Sequence, residues 1–427
     1  NKPLSGIEIM GSRERYLVGL DVGTSKVAAI VGEVMGDGSV DIIGIGLAES
    51  KGIRRGIVVN LEAAVDAIKK AIEEAELTAG IEIDSVHLAL SGGHVKAFNS
   101  RGVVAVAGKN REITREDVRR AIDAAKAVSL PSGREILHVL PQDFVVDEQD
   151  GIGVPVGMTG ARLEVNVHIV TSASTATQNL VSCVNRAGVG VIDTVVEQIG
   201  AAEAVLTQDE KELGVALVEM GAGTTDLAIF HEGKIRHLGT LAYGGNNVTN
   251  DIVHGLGVTQ ADAERLKERH GHAYEPGLHD PSETISLPST QAQGERQIPR
   301  ELLAHIIHQR MDEIFDMVQR EIANAGYQAK LPAGLVLSGG AAEVEGIAEL
   351  AQDVFGAGVR VGSPTNLAGL SDSVEAPRFA TVVGLAQYGA GRMAAGGPVT
   401  GGRRSQLGGA GVDKLATKVR TWLQDFF

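Results

Sequence analysis

Cysteine, aromatic residues and excess positive charge are what this chain has least of. It carries a single cysteine, Cys183, which excludes an intramolecular disulfide and fits a reducing compartment. Its place in "NLVSCVNRAG" reads as a buried core thiol rather than a nucleophile. Aromatics are 3% of residues, and Trp422 is the only tryptophan. No run of about 18 apolar residues and no signal-peptide pattern occurs, so no segment is expected to span a membrane. The net charge of −15 argues against nucleic-acid binding, which rests on neutralising phosphates.

What is present is bulk of the right kind. The chain has 427 residues, 43% hydrophobic, with 55 glycines. That length suits two or three domain-sized units, and the Ala/Val/Gly-rich mix suits an α/β protein with many tight turns.

Periodicity gives the organisation. "YLVGLDVGTSKVAAIVGEV", from Tyr16, reads as strand, small polar turn, strand, and "DIIGI" as a third strand. Asn60 is a good N-cap for "LEAAVDAIKKAIEEAEL", whose Leu61, Ala64, Val65, Ile68 and Ile72 share a face. The same order recurs from Leu213: "LGVALVEMGAGTTDLAIFHEGKIRHLGTLAYGG", then "NNVTNDIVHGLG". Asp21 and Glu219 hold equivalent places in this weak internal repeat, which suggests two related halves facing each other across a cleft. Residues 85 to about 164 read as a separate piece, with strands "VHLAL" and "GVVAVAG" and a helix capped by Thr114. An irregular stretch from His270 to Pro299 precedes a long amphipathic helix at about Arg300 to Ala325. His270, His272 and His279 lack a helical spacing and a cysteine, so they read as solvent-exposed rather than as zinc ligands.

Strand-turn-strand loops of small residues present backbone amides as a nest for phosphate oxygens. In the first loop Gly23, Thr24 and Ser25 allow close approach and Lys26 adds positive charge. Gly221, Ala222, Gly223, Thr224 and Thr225 are expected to clamp the same phosphates from the opposite side. Asp21, Glu219 and Asp226 suit mostly water-mediated contacts to Mg2+. Neither loop is a Walker A motif.

Two acidic-Gly-Thr hairpins followed by "VLSGG" resemble the nucleotide site of the actin/Hsp70/sugar-kinase superfamily. That resemblance implies two lobes around an ATP cleft, with Gly339 and Gly340 against the nucleoside. "LVGLDVGTSKVAAIVGEV", "HVLPQDFVVDEQDGIGVPVGMTGARLEVNVHIVT", "DAERLKERHG" and "LSGGAAEVEG", in that order, look like the FtsA family of bacterial cell-division proteins. The family resemblance implies an actin-like duplicated ATPase fold, divided as follows. Residues 1–84, 165–196 and 365–388 form subdomain 1A, and 85–164 an inserted subdomain 1C. Residues 197–245 and 326–364 form 2A, and 246–325 form 2B. A Gly-rich linker at 389–411 and an amphipathic helix at 412–427 complete the chain.

The resemblance also places Glu264 and Lys267 at the ribose or adenine. It assigns the C-terminal peptide of the tubulin-like FtsZ to subdomain 2B, where Arg296, Arg300 and Arg310 are candidates; a solvated helix face is the plain alternative. Glu197 is a candidate water-orienting carboxylate or simply a helix-surface residue. The second loop departs from the family pattern by having Glu219 for Asp and Ala222 for Gly, so slow turnover is expected, with ATP acting chiefly as a conformational ligand.

The tail carries its own signal. Val412, Leu415, Val419, Trp422, Leu423 and Phe426 follow a helical stripe that Phe427 prolongs. Arg403, Arg404, Lys414, Lys418 and Arg420 stand against only Asp413 and Asp425. A locally basic, Trp/Leu/Phe-faced helix on a flexible tether suits an interfacial anchor on an anionic membrane surface; docking onto protein is the alternative. One such helix binds marginally, and self-assembly into filaments would supply avidity of roughly 10²–10⁴. The resulting expectation is a peripheral protein on the cytoplasmic face of the membrane at the division site. It would hold the FtsZ ring there and help recruit later division proteins. A pilus-assembly ATP-binding adaptor and a small-molecule kinase of the same superfamily are the rival readings. The first has no such terminal helix, and the second needs an acceptor pocket and base.

Overall fold

The structure, a computed structural model, describes residues 16–36, 38–108, 110–278, 280, 283–287 and 296–394. His279, the tether beyond Ala394 and the terminal stripe from Val412 to Phe427 lie outside the described residues.

The first lobe begins with β1 (Tyr16–Val22), β2 (Lys26–Val34) and β3 (Val40–Glu49), an antiparallel meander. A short ribbon, β4 (Ile53–Arg54) and β5 (Ile57–Val58), leads into α1 (Leu61–Ala79). Asn60 caps that helix as expected, its side chain accepting from the Ala63 amide. β6 (Ser85–Leu90) then pairs parallel to β1.

Next comes an inserted unit: β7 (Lys96–Ala105), α2 (Arg115–Lys126), β8 (Arg134–Val146), β9 (Gln149–Ile152) and β10 (Arg162–Ala173). Its sheet runs β7-β10-β8-β9 and packs α2 over a separate core that includes Ile113, Val118, Phe144 and Val165. Thr114 and Asp117 close a capping box at the start of α2. The insert therefore spans about 96–173 rather than 85–164. "VHLAL" belongs to β6, whose side chains are buried because parallel neighbours, β1 and β11, flank it on both edges.

The chain returns through α3 (Ser174–Arg186) and β11 (Gly190–Val196), which completes the sheet order β11-β6-β1-β2-β3-β19. Cys183 is fully buried in this core, and burial pushes its thiol up. α4 (Glu197–Val205) and α5 (Gln208–Leu213) cross to the second lobe.

There β12 (Val215–Met220), β13 (Thr225–His231) and β14 (Lys234–Leu241) repeat the meander. α6 (Gly245–Leu256), α7 (Gln260–His270), β15 (Thr284–Leu287), β16 (Arg296–Pro299) and α8 (Arg300–Asn324) follow. α8 buries Leu303, Ile307, Met311, Ile314, Phe315 and Val318 along one stripe. β17 (Leu335–Ser338), α9 (Ile347–Phe355) and β18 (Val359–Val361) complete the order β14-β13-β12-β17-β18. Strand order and sense match β3-β2-β1-β6-β11 in the first lobe, so the weak internal repeat is a duplication of fold.

β19 (Leu367–Gly369) and α10 (Ala380–Ala394) belong to the first lobe. α10 crosses α4 closely: a Cβ on Gly384 would lie 1.8 Å from the Gly200 carbonyl. The tether does not begin at Gly389. That residue is buried in α10, where a Cβ would meet His87 Nε2 at 2.8 Å, so its glycine serves packing rather than a flexible link. Among the described residues no helix is long and apolar enough to cross a membrane.

Candidate nucleotide site

The two hairpins repeat one turn. In each, the acid at the strand end stands two residues before a glycine whose amide closes onto the carbonyl three residues on. Gly23 N–H reaches Lys26 O at 3.0 Å, and Gly221 N–H reaches Thr224 O at 2.9 Å. The next two amides, of Thr24 and Ser25 in one and of Ala222 and Gly223 in the other, have no backbone partner among the described residues. Such amides make an anion nest. The tips face each other, since a Cβ on Gly223 would lie 2.6 Å from Thr24 Oγ1 and 3.2 Å from Arg55 Cα.

Behind the tips lie four carboxyl groups. Asp226 Oδ1 accepts from Gln198 Nε2 at 2.9 Å and from Thr240 Oγ1 at 2.5 Å. Glu219 Oε1 accepts from the Thr381 hydroxyl, and Asp21 has Lys26 Nζ at 3.9 Å. Asp21 Oδ1 and Glu219 Oε2 are buried with no partner. Burial, reinforced by the charges of Asp226 and Asp21, pushes Glu219 up to about 8 against the Thr381 hydrogen bond. Burial lifts Asp226 to about 6, and it raises Asp21 against the pull of Lys26. Glu197 rises well above the usual range, through burial first and then the charges of Asp21, Glu219 and Asp226.

Carboxyls raised together, with orphaned oxygens among them, are not balanced by Lys26 at 3.9 Å from Asp21, and a hard oxygen-seeking ion such as magnesium fits the set. Among the described residues no group of three or more His, Cys, Asp or Glu is arranged to hold an ion directly. Mg2+, which keeps most of its waters, would meet Asp21, Glu219 and Asp226 through them.

The opposite wall brings the expected nucleoside residues together. The N-terminus of α6 rests on the second hairpin: Gly245 N–H donates to Gly221 O at 2.9 Å and Asn246 N–H to Ala222 O at 2.8 Å. A Cβ on Gly245 would lie 3.4 Å from both Lys267 Nζ and Ala341 Cβ, so α7 and the Gly339–Gly340 turn converge there. Lys267, 7% exposed, is paired with Glu264 at 2.8 Å and donates to Thr249 Oγ1 at 2.9 Å. Lys26 Nζ donates to Arg378 O at 2.7 Å, tying the first hairpin to the segment ahead of α10.

Other expectations need correction. Thr225 is fully buried and its hydroxyl donates to Tyr243 O at 2.9 Å, so its side chain supports the hairpin instead of lining the cleft. Two of the three arginines already hold carboxylates: Arg300 pairs with Glu283 and Glu345, and Arg310 with Asp251 and Glu313, whereas exposed Arg296 donates to the Leu256 carbonyl. His272 is buried beside Gly346, not solvent-exposed. Sequence reasoning missed Gln198, Thr240 and Thr381, which hold the acids. The polar residues "EQ" opening an apolar helix were the one available hint.

Two lobes of equal strand order, closing paired glycine hairpins over buried acids, define the actin-like ATPase fold. Solved structures bear this out. The chain is similar to the PilM-PilN type IV pilus biogenesis complex (TM-score 0.62, 18% identity, 88% of this chain and 98% of that chain). It is also similar to MreB5 of Spiroplasma citri bound to ADP (TM-score 0.50, 16% identity, 87% of this chain and 94% of that one).

Family models carry the assignment further. That of the cell division protein FtsA matches residues 216–384, and that of the SHS2 domain inserted in FtsA matches 92–171, in agreement with the insert seen here. Cell division protein FtsA of Pseudomonas aeruginosa is 42% identical over 413 residues, covering 97% of this chain and 98% of that protein. The FtsA of Escherichia coli K12 is 40% identical over 388 residues, 89% of this chain and 92% of that protein. The chain belongs to the FtsA family of cell-division proteins.

Proposed function

We propose that the chain binds ATP with Mg2+ between its two hairpins and polymerises as an actin-like filament on the cytoplasmic face of the membrane. There it tethers the FtsZ ring through the FtsZ C-terminal peptide and helps recruit later division proteins. The observation that carries the nucleotide reading is the pair of facing hairpins, each with two uncommitted amides, over carboxyls whose buried oxygens lack a partner. Turnover is slow in this reading. The Glu219 carboxyl is held by the Thr381 hydroxyl, so one of its two oxygens is not free to orient a metal-bound water. The basic, Trp/Leu/Phe-faced stripe from Val412 to Phe427 is the membrane anchor. Family membership supports the FtsZ partnership and the division-site location. Docking of that acidic peptide on α8 would have to exchange the carboxylates that now hold Arg300 and Arg310.

Two measurements test the proposal. Calorimetry of the full chain should show Mg-ATP binding with turnover far below that of a metabolic kinase; no nucleotide binding would sink the cleft. Anionic liposomes should shift the emission of Trp422, the only tryptophan, to the blue, and truncation before Val412 should end co-sedimentation. Co-sedimentation that survives truncation would remove the anchor.

A further inference from the structure

The β4–β5 ribbon has no part in the roles above, yet its turn stands at the cleft. Resting on the nucleotide reading, we propose that Arg55 reads the terminal phosphate of the bound nucleotide and so distinguishes a nucleoside triphosphate from a diphosphate.

Placement comes first. Arg55 sits at φ +50 and Gly56 at φ +75, a left-handed turn that a side chain rarely adopts. The turn is wedged on both sides. Arg55 Cα is 3.2 Å from where a Cβ on Gly223 would lie, and Arg55 O is 2.7 Å from a Cβ on Gly92. Ser91 O is 2.3 Å from a Cβ on Gly56, and the Ser91 side chain bonds Glu197. The ribbon is thus pinned between the tip of the second hairpin and the loop that touches the acid cluster.

The order of neighbours then gives the end of the nucleotide concerned. Ala341, next to the Gly339–Gly340 turn, approaches Gly245, and Gly245 bonds Gly221 at the start of the second hairpin. Gly223, two residues further along that hairpin, faces Thr24 and Arg55. A nucleotide with its nucleoside at Gly340 places its last phosphate at the Arg55 end.

Charge makes the residue useful. Lys26 is bonded to Arg378 O and lies beside Asp21. Lys267 is buried against Glu264, and Arg378 is paired with Glu343. Arg55 is exposed and makes no hydrogen bond or ion pair among the described residues. Arg54 is exposed and without a side-chain partner among the described residues as well, but it is Arg55 whose backbone stands against the tip of the second hairpin, and its planar fork matches the oxygens that a third phosphate adds.

The test titrates the full chain, with Mg2+, against ADP and against the β,γ-methylene analogue of ATP. Arg55→Ala and Arg55→Gly should each weaken the analogue by roughly tenfold to a hundredfold and leave ADP within about twofold. Arg54→Ala, the loss of an equal charge from the neighbouring exposed residue, should change neither. The glycine variant keeps the left-handed backbone, so wild-type behaviour in Arg55→Gly would assign any alanine effect to the turn and overturn the proposal. Equal loss of both nucleotides, or loss of neither, would also overturn it while leaving the cleft intact. A wild-type chain that binds neither nucleotide sinks the cleft reading, and this inference with it.

Discussion

The hairpins Asp21–Lys26 and Glu219–Thr224 share a turn, a strand pairing and a place in matching sheets, but their side chains diverge. The first carries an exposed Ser25 and a cation, Lys26, that reaches across to Arg378 O. The second carries Ala222 and Gly223 and no cation, and its acid is buried under Thr381. In the proposed reading, backbone symmetry supplies amides from both sides of an anion, a task that needs no particular side chain. Side-chain asymmetry then divides the remaining work, with a cation on one lip and an acid held by Thr381 on the other. Elaborations follow the same logic. The first lobe is extended after β6 by the insert, the second after β14 by α6 to α8.

Making the hairpins alike should break the site, with the largest effect of the changes considered. Ser25 and Gly223 are equivalent, and Gly223 has no room for a side chain because Thr24 Oγ1 and Arg55 Cα crowd it. Gly223→Ser should hold the tips apart and weaken Mg-ATP by roughly tenfold to a hundredfold. Ser25→Gly, the reverse exchange, should stay within about threefold. Comparable effects in calorimetry would mean that the two tips are interchangeable after all.

The acids differ in a way that pH exposes. Glu219 is raised from an ordinary 4.5 to about 8, and Asp226 from 3.8 to about 6. Between its ordinary and raised value each group binds more protons folded than unfolded, so stability falls as pH rises through that window and levels off above the folded value. The melting temperature of the nucleotide-free chain should therefore drop by a few degrees between pH 6 and 8. Glu219→Gln should flatten that drop. Mg-ATP, which favours the ionised acid, should bind up to about tenfold more tightly per pH unit across the same window. A melting temperature with the same pH slope in wild type and Glu219→Gln would show that Glu219 is not the titrating partner.

How much of this was legible follows from the range of each interaction. The repeated strand-turn-strand pattern, and hence the pairing of Asp21 with Glu219, is local and readable from apolar runs broken by glycine. The support is not local: Thr381 bonds Glu219 across 162 residues, and no spacing announces it. "VHLAL" was misplaced because an apolar run cannot tell a central strand from one in an insert; only its partners, β1 and β11, decide. Gly389 looked like linker because glycine signals flexibility in isolation, whereas here it admits His87. Arg300 and Arg310 looked like free cations because their carboxylate partners come from other elements.

The smallest expected effect lies where the two elaborated lobes touch. Asp143, on β8 of the insert, pairs with Lys234 at 3.0 Å and Arg236 at 2.6 Å, both on β14. Burial would raise its carboxyl, but hydrogen bonds from Arg236 and Lys234 hold it below the usual range. The same strand carries Thr240, which bonds Asp226 at 2.5 Å in the acid cluster. β14 is thus a direct mechanical route from the insert to the second hairpin. Asp143→Asn keeps the shape and removes the charge, so it should lower stability to denaturant by about 1 kcal/mol. If β14 is held by its ladder to β13, Mg-ATP affinity should stay within about twofold. A larger shift in affinity at the same loss of stability would mean that the insert of one lobe sets the acid of the other, and the two halves could no longer be compared as independent copies.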